Sequence, residues 1–259
     1  MESGLLLDNV FGAIVMTKQV KSKQRVVNHG EVFTATREVN AMLNLVEQET
    51  ERVDSRFLEP ACGDGNFVVE ILRRKLNAAR KRAIPPNRKR PIPLEFEKQS
   101  VIAVASIYGV DLMMDNVLAC RKRLYEMWNK EYETVCKKEV NEECKEAVKF
   151  ILSRNIVCGN ALSLKMVDDD GNDIEEPIVF SEWSFIMERK MQRKDYRFDK
   201  MLAGEYAPKV TKRKKSKKHV EAECYQMNLL SMIEEKPSAE GEFLKSYVAD
   251  YRRIQDYGE

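Results

Sequence analysis

The segment Phe57-Leu58-Glu59-Pro60-Ala61-Cys62-Gly63-Asp64-Gly65-Asn66-Phe67 constrains this chain more than any other. An apolar strand start runs into an acidic residue, a Gly-Asp-Gly turn and then an amphipathic helix from Val68 to Leu76. Glycines at 63 and 65 let the backbone turn sharply and come close to a bound small molecule, where a Cβ would intrude. The carboxylates of Glu59 and Asp64 face the same gap. Carboxylates repel phosphate, so this turn is a poor pyrophosphate cradle, unlike G-x-G-x-x-G. It suits a cationic, zwitterionic ligand with an amino-acid end.

The rest of the chain alternates strands with helices. Apolar Leu6, Val10, Phe11 and Ile14 suggest a helix over 5–20, and Val39, Met42, Leu43 and Val46 give one face to a helix over 36–50 capped by Thr36. The β-branched run Val101 to Val110 reads as a buried parallel strand. Helices over Asp115 to Lys130 and Asn141 to Leu152 follow, then a strand at Asn155 to Cys158. Such alternation argues for a parallel sheet wound by right-handed crossovers. Beyond Leu162 the pattern changes. Leu164 to Val167, an Asp-Gly turn at 170–171 and Ile178 to Phe185 read as a β-hairpin. Residues 188–203, 221–234 and 240–254 read as helical.

Three other segments gather around the glycine turn in sequence order. They are Asn28-His29-Gly30-Glu31-Val32-Phe33-Thr34, Ile107-Tyr108-Gly109-Val110-Asp111-Leu112 and Asn155-Ile156-Val157-Cys158-Gly159-Asn160-Ala161-Leu162. With the turn, they resemble the G-x-x-F-T-P, E-P-A-C-G-x-G-x-F, G-x-D and G-D-A-L segments of the amino (N6-adenine) DNA methyltransferases of restriction-modification systems. The resemblance covers roughly residues 25 to 165. It implies a Rossmann-like S-adenosyl-L-methionine-dependent α/β fold with a largely parallel sheet, N-terminal helices and a β-hairpin addition. It divides the chain into an N-terminal helical segment with the first cofactor motif (1–50), a methyltransferase-like domain (51–205) and a basic, polar C-terminal extension (206–259).

The same resemblance implies a cofactor set. Phe33 and Thr34 would border the methionine end, with Ala35 where the family often has proline. Glu59, Pro60, Ala61, Gly63, Gly65, Asn66 and Phe67 would form the turn around the ligand. Asp111, at the end of its strand, can accept hydrogen bonds from both ribose hydroxyls. The competing role of helix N-cap is better served by Asp115. Leu112 and Met113 would lie against the adenine ring. Asn160 and Ala161 close the set, Asn160 standing where the family usually has an aspartate that accepts from the adenine amino group.

One family segment is missing. The amino methyltransferases carry Asn/Asp/Ser-Pro-Pro-aromatic, which polarises the target amine and stacks on the flipped base. The only Pro-Pro, at Pro85-Pro86, has neither the polar residue before nor the aromatic after. Ser181-Glu182-Trp183-Ser184-Phe185 is the candidate replacement, with Ser181 or Glu182 as acceptor and Trp183 as stacking face; an exposed hairpin aromatic is the plainer explanation.

The chain has 259 residues and a net charge of only +2. Its basic residues are nevertheless uneven: Arg73 to Arg90 and Lys209 to Lys218 contain no acidic residue. Each run could meet a phosphate backbone or be plain solvated surface. The six cysteines form no C-x-x-C pair and there are two histidines. Zinc is not expected, and a reducing, cytoplasmic setting is. Cys62 is expected to pack as a small hydrophobe. No apolar run reaches membrane-span length, and no secretory signal is recognisable.

These features lead to a cofactor-binding subunit of a DNA adenine-N6 methyltransferase. DNA would be its substrate, and a second methyltransferase or specificity subunit would supply base binding and target recognition. A catalytically inactive methyltransferase-like binding or regulatory module, and a methyltransferase for RNA or protein, are the alternatives.

Overall fold

The computed structural model describes residues 34–203 and 243–257. The expected helices over 5–20 and 221–234, the motif from Asn28 to Phe33, and the Lys209–Lys218 run lie outside them.

The described chain starts with α1 (Thr36–Asn44) and α2 (Glu47–Thr50). The single helix expected over 36–50 is broken at Leu45 and Val46. Ala35, not Thr36, holds the N-cap position, and the Glu38 carboxylate reaches back to accept from its N–H at 3.2 Å. Strand β1 (Phe57–Glu59) then leads through the glycine turn into α3 (Asn66–Arg82). Next come α4 (Pro93–Ala105), β2 (Ile107–Asp111), α5 (Met114–Cys136), α6 (Glu142–Asn155) and β3 (Ile156–Asn160). The apolar run from Val101 is therefore helical as far as Ala105. Pro93 at the first helical turn starts α4, and its last turns are buried on several sides, so an unbroken apolar run conceals the switch from helix to strand. Asn141 caps α6 by accepting from Cys144 N–H at 2.9 Å.

Strands β1, β2 and β3 pair in parallel, in that spatial order. The sheet then turns antiparallel through β4 (Lys165–Val167) and β5 (Asp173–Pro177). It is a mixed sheet, not the largely parallel one expected: residues 161–164 are too few for a parallel crossover, so the chain can only double back. The Asp-Gly turn joins β4 to β5, while the apolar strand β6 (Val179–Phe185) leaves this sheet. With β7 (Lys190–Arg197) and β8 (Lys245–Asp250), β6 forms a second, antiparallel sheet. A short α7 (Phe198–Leu202) follows β7.

Period-two alternation divides the parallel strands between two cores. Phe57, Ile107, Ile156 and Cys158 pack with the helices around Val68, Leu72, Leu124 and Trp128. Leu58, Tyr108, Val110 and Val157 point the other way, onto Ile178, Phe180 and Phe198. There the Tyr108 hydroxyl donates to Ser181 O at 3.0 Å and its ring meets Phe180 edge-on.

Two further expectations change. Residues 190–197 are strand β7 because Met191, Arg193 and Asp195 alternate inward. Residues 245–250 are strand β8, not helix, and Tyr251–Tyr257 continue as a 3-10 turn. This C-terminal piece is tied to the helical core. Buried Glu97 on α4 accepts from Tyr132 OH on α5, from Tyr251 OH, and from Arg252 Nε at 2.6 Å. Asn141 N–H donates to the Tyr132 oxygen at 2.9 Å. Removing a cation from a buried carboxylate is costly, so Arg252→Met is expected to lower unfolding free energy by roughly 3 kcal/mol. Urea denaturation checks this; unchanged stability would mean that Glu97 does not need the pair.

Candidate functional site

The tails of β1, β2 and β3 lie side by side at one end of the sheet, where open α/β sheets bind ligands. The glycine turn is pinned there from several sides. Cys62 N–H donates to Val110 O at 2.9 Å, and Gly65 N–H to Cys62 O at 2.9 Å. Gly63 (φ 54°) and Gly65 (φ 102°) are left-handed, which a side chain would resist. Space is equally tight. A Cβ on Gly65 would lie 2.9 Å from Cys120 Sγ, and one on Gly109 would lie 3.0 Å from Cys62 Sγ. Cys62 fills the gap between β2 and α5 as a buried thiol hydrogen-bonded to Cys120, which with burial pushes it far up and keeps it protonated. Packing is thus its role, as its sequence context indicated.

Asp111 locks this turn to β2. Its carboxylate accepts from Gly63 N–H (2.9 Å), Met113 N–H (2.9 Å) and Asn116 Nδ2 (3.1 Å). Of about four acceptor positions on a carboxylate, three are therefore occupied. One hydroxyl can join without displacement; a ribose bonding through both hydroxyls needs one donor to move. Asp111 also serves the start of α5 by holding the N–H of its N-cap residue Met113, while Asp115, inside the first turn, accepts from Asn116 N–H at 2.9 Å. The N-cap position thus falls to Met113, not to Asp115.

The acidic residues of the turn differ from expectation. Glu59 is half-buried; burial raises its pKa, opposed by a bond from Ala61 N–H at 3.3 Å. Asp64 does not offer a free carboxylate to the gap. Arg123 of α5 pairs with it at 2.8 Å, and also donates to Asp64 O and Asn66 Oδ1. Asn66 Nδ2 in turn donates to Thr34 O at 3.1 Å, bringing residue 34 to the turn. Pro60 and Ala61 are exposed, whereas Phe67 packs on the helical core. Phe33 lies outside the described residues.

Just past the ends of β2 and β3, Leu112 is 37 % exposed and Leu162 96 %. Asn160 is less available than expected. Its Oδ1 accepts from Leu162 N–H (2.9 Å) and Ser163 N–H (3.4 Å), while Nδ2 donates to Asp173 (2.9 Å). Ala161 packs into the smaller core.

Ser181 and Trp183 do not join this site. Ser181 is buried and donates to Asp195 Oδ1 at 2.6 Å. Trp183 is buried too, and its indole N–H donates to Asn155 Oδ1 at 2.8 Å. Asn155 immediately precedes β3 while Asn160 ends it, so the indole is held about 16 Å of strand away from the ligand end. The stacking role is withdrawn on that geometry. Sequence reasoning also missed Arg123 and Asn116; their only sequence signal is that each faces the turn from a helix directly after Asp111.

Strand β1 is an edge of its sheet among the described residues. Phe57 N–H bonds to Ser106 O at 2.9 Å on the β2 side. Alternation then turns the Leu58 N–H and C=O away from β2, where no described residue bonds them. No metal-sized group of His, Cys, Asp and Glu occurs among the described residues, and no described helix is long and apolar enough to cross a membrane. No family model matches the chain, and neither a curated protein nor a solved structure does.

Strain and crowding at Gly65 are testable together. Gly65→Ala is expected to cost roughly 1–3 kcal/mol of stability in urea denaturation, because it forces a left-handed alanine against Cys120. Adding Cys120→Ala should recover part of the loss. A single variant as stable as the parent would contradict the described turn.

Proposed function

We propose that this chain is the S-adenosyl-L-methionine-binding subunit of a DNA adenine-N6 methyltransferase, on a Rossmann-like methyltransferase fold. The observation that carries the reading is the Gly63 N–H to Asp111 bond, 2.9 Å long. It joins the close-approach turn to the acid at the next strand's end, so one ligand can touch both. The half-buried Glu59 and the exposed Leu112 add a carboxylate for an amino-acid end and an apolar surface for a base. A reducing, cytoplasmic setting fits the five cysteines among the described residues, all buried free thiols.

A partner belongs to the reading. Doubly wound sheets hold ligands where the strand order reverses, with protein on both sides of the crevice. Here β1 is an edge among the described residues, so neighbouring strands flank the turn on the β2 side only. The partner would bring the missing wall, the Pro-Pro-aromatic chemistry and target recognition. Its absence should leave methyl transfer to DNA very slow, since positioning and polarising the amine are worth several kcal/mol.

A second reading, an inactive methyltransferase-like binding or regulatory module, is favoured by Asn160. Its acceptor oxygen is occupied by its own turn, which removes one expected contact to adenine.

Calorimetric titration with S-adenosylhomocysteine tests the cofactor claim. Wild-type protein should bind at micromolar strength or weaker, on the order of −8 kcal/mol at 1 μM. Asp111→Ala should weaken this by roughly 1.5–3 kcal/mol while circular dichroism shows a folded chain. No binding by the wild-type protein would end the reading.

A further inference from the structure

From the proposed function this inference takes only that duplex DNA is the partner; the surface lies elsewhere. We infer that the loop from Ala83 to Ile92 is an anchoring site for the DNA phosphate backbone, built from Arg88, Lys89 and Arg90. The loop has a fixed shape. Ile92 N–H closes it onto Ala83 O at 2.8 Å, Arg88 N–H bonds to Pro85 O at 3.0 Å, and Pro85, Pro86 and Pro91 restrict the backbone between. Cations on such a loop meet a polyanion with less ordering cost than cations on a free tail.

The loop's charge is of one sign. Several exposed helix cations elsewhere pair with acids one turn away, as in Lys122–Glu126, Lys149–Glu146 and Arg253–Asp256. No acidic residue occurs between Glu70 and Glu95. Arg80 and Arg82 at the end of α3 still reach Glu131 (3.6 Å) and Asp54 (3.9 Å), and they complement the helix C-terminus. Arg88, Lys89 and Arg90 are exposed, form no ion pair with a described residue and lie beyond that helix end. Like charges packed together are unfavourable without a counterion, which a phosphate backbone supplies.

The location sets the role. Helix α3 has 17 residues, so its far end, where the loop begins, is about 25 Å from the glycine turn. The acidic hairpin carrying Asp168, Asp169, Asp170, Asp173, Glu175 and Glu176 stands beside β3 instead. A duplex gripped by the loop is thus held well away from the glycine turn. The contact anchors DNA without reading its sequence.

The test is fluorescence anisotropy with a labelled random-sequence DNA duplex between 50 and 200 mM salt (roughly the range over which counterion release is read). Joint replacement R88A, K89A and R90A should flatten the log-affinity against log-salt slope by about 2–3 and weaken binding on the order of ten- to a hundredfold. Thermal stability and S-adenosylhomocysteine affinity should stay unchanged. Unaltered DNA binding by this variant would overturn the inference. So would loss of binding only on neutralising Lys212, Arg213, Lys214 and Lys215, or equal competition by polyglutamate, which would mark a generic acidic partner. If DNA binding responds as stated but S-adenosylhomocysteine does not bind, the loop assignment stands and the cofactor reading falls.

Discussion

A close approach between β1's turn and its neighbours underlies the rest of this structure. Gly65 leaves no room for a Cβ beside Cys120, and Gly109 leaves none beside Cys62. The turn can therefore sit directly on β2 and α5, and Gly63 N–H can reach the Asp111 carboxylate. That contact fixes where β1 stops, where α3 starts and which backbone faces the ligand end. Arg123 holds the same turn from outside by neutralising Asp64 and bonding its carbonyl. A larger residue at either glycine would separate the elements that form the site.

Below the turn, β1 is anchored by an unusual buried cation. Lys75 of α3 is fully buried and donates to the carbonyls of Arg52, Val53 and Ser55, in the segment entering β1. Burial lowers its pKa to about 7. Three carbonyl acceptors favour the ammonium form, since only that form supplies three donors. The strand bearing the glycine turn is thus clamped at its start by a lysine and at its end by an aspartate. Buried Glu97 plays the matching role for the C-terminus, holding Tyr251 and Arg252 against the helices.

The glycine turn, the short strands ending at Asp111 and Asn160, and the helices between them were legible because their signals are local. Positive-φ glycines and an asparagine cap on α6 act over a few residues, whereas α4 was hidden by the apolar run that starts at Val101. Strand β7 was not legible for a physical reason. Its inward positions include Arg193 and Asp195, paired to each other at 2.6 Å with Ser181 donating to Asp195, so polarity does not alternate as burial does. The mixed sheet was missed because only register reveals that β4 doubles back beside β3. Occupation of Asn160, pairing of Asp64 and burial of Trp183 depend on residues brought together by folding, and no spacing rule finds them. The glycine turn could be read from sequence; what its side chains are already bonded to could not.

The central claim is that a ligand with an amino-acid end and a nucleoside lies across the Cys62–Phe67 turn and the end of β2. Hydrogen–deuterium exchange with and without saturating S-adenosylhomocysteine tests it most directly. The account expects slower exchange at residues 61–67 and 111–113 and little change in the 83–92 loop or in β6 to β8. Binding without protection of the turn, or protection confined to another part of the chain, would contradict it.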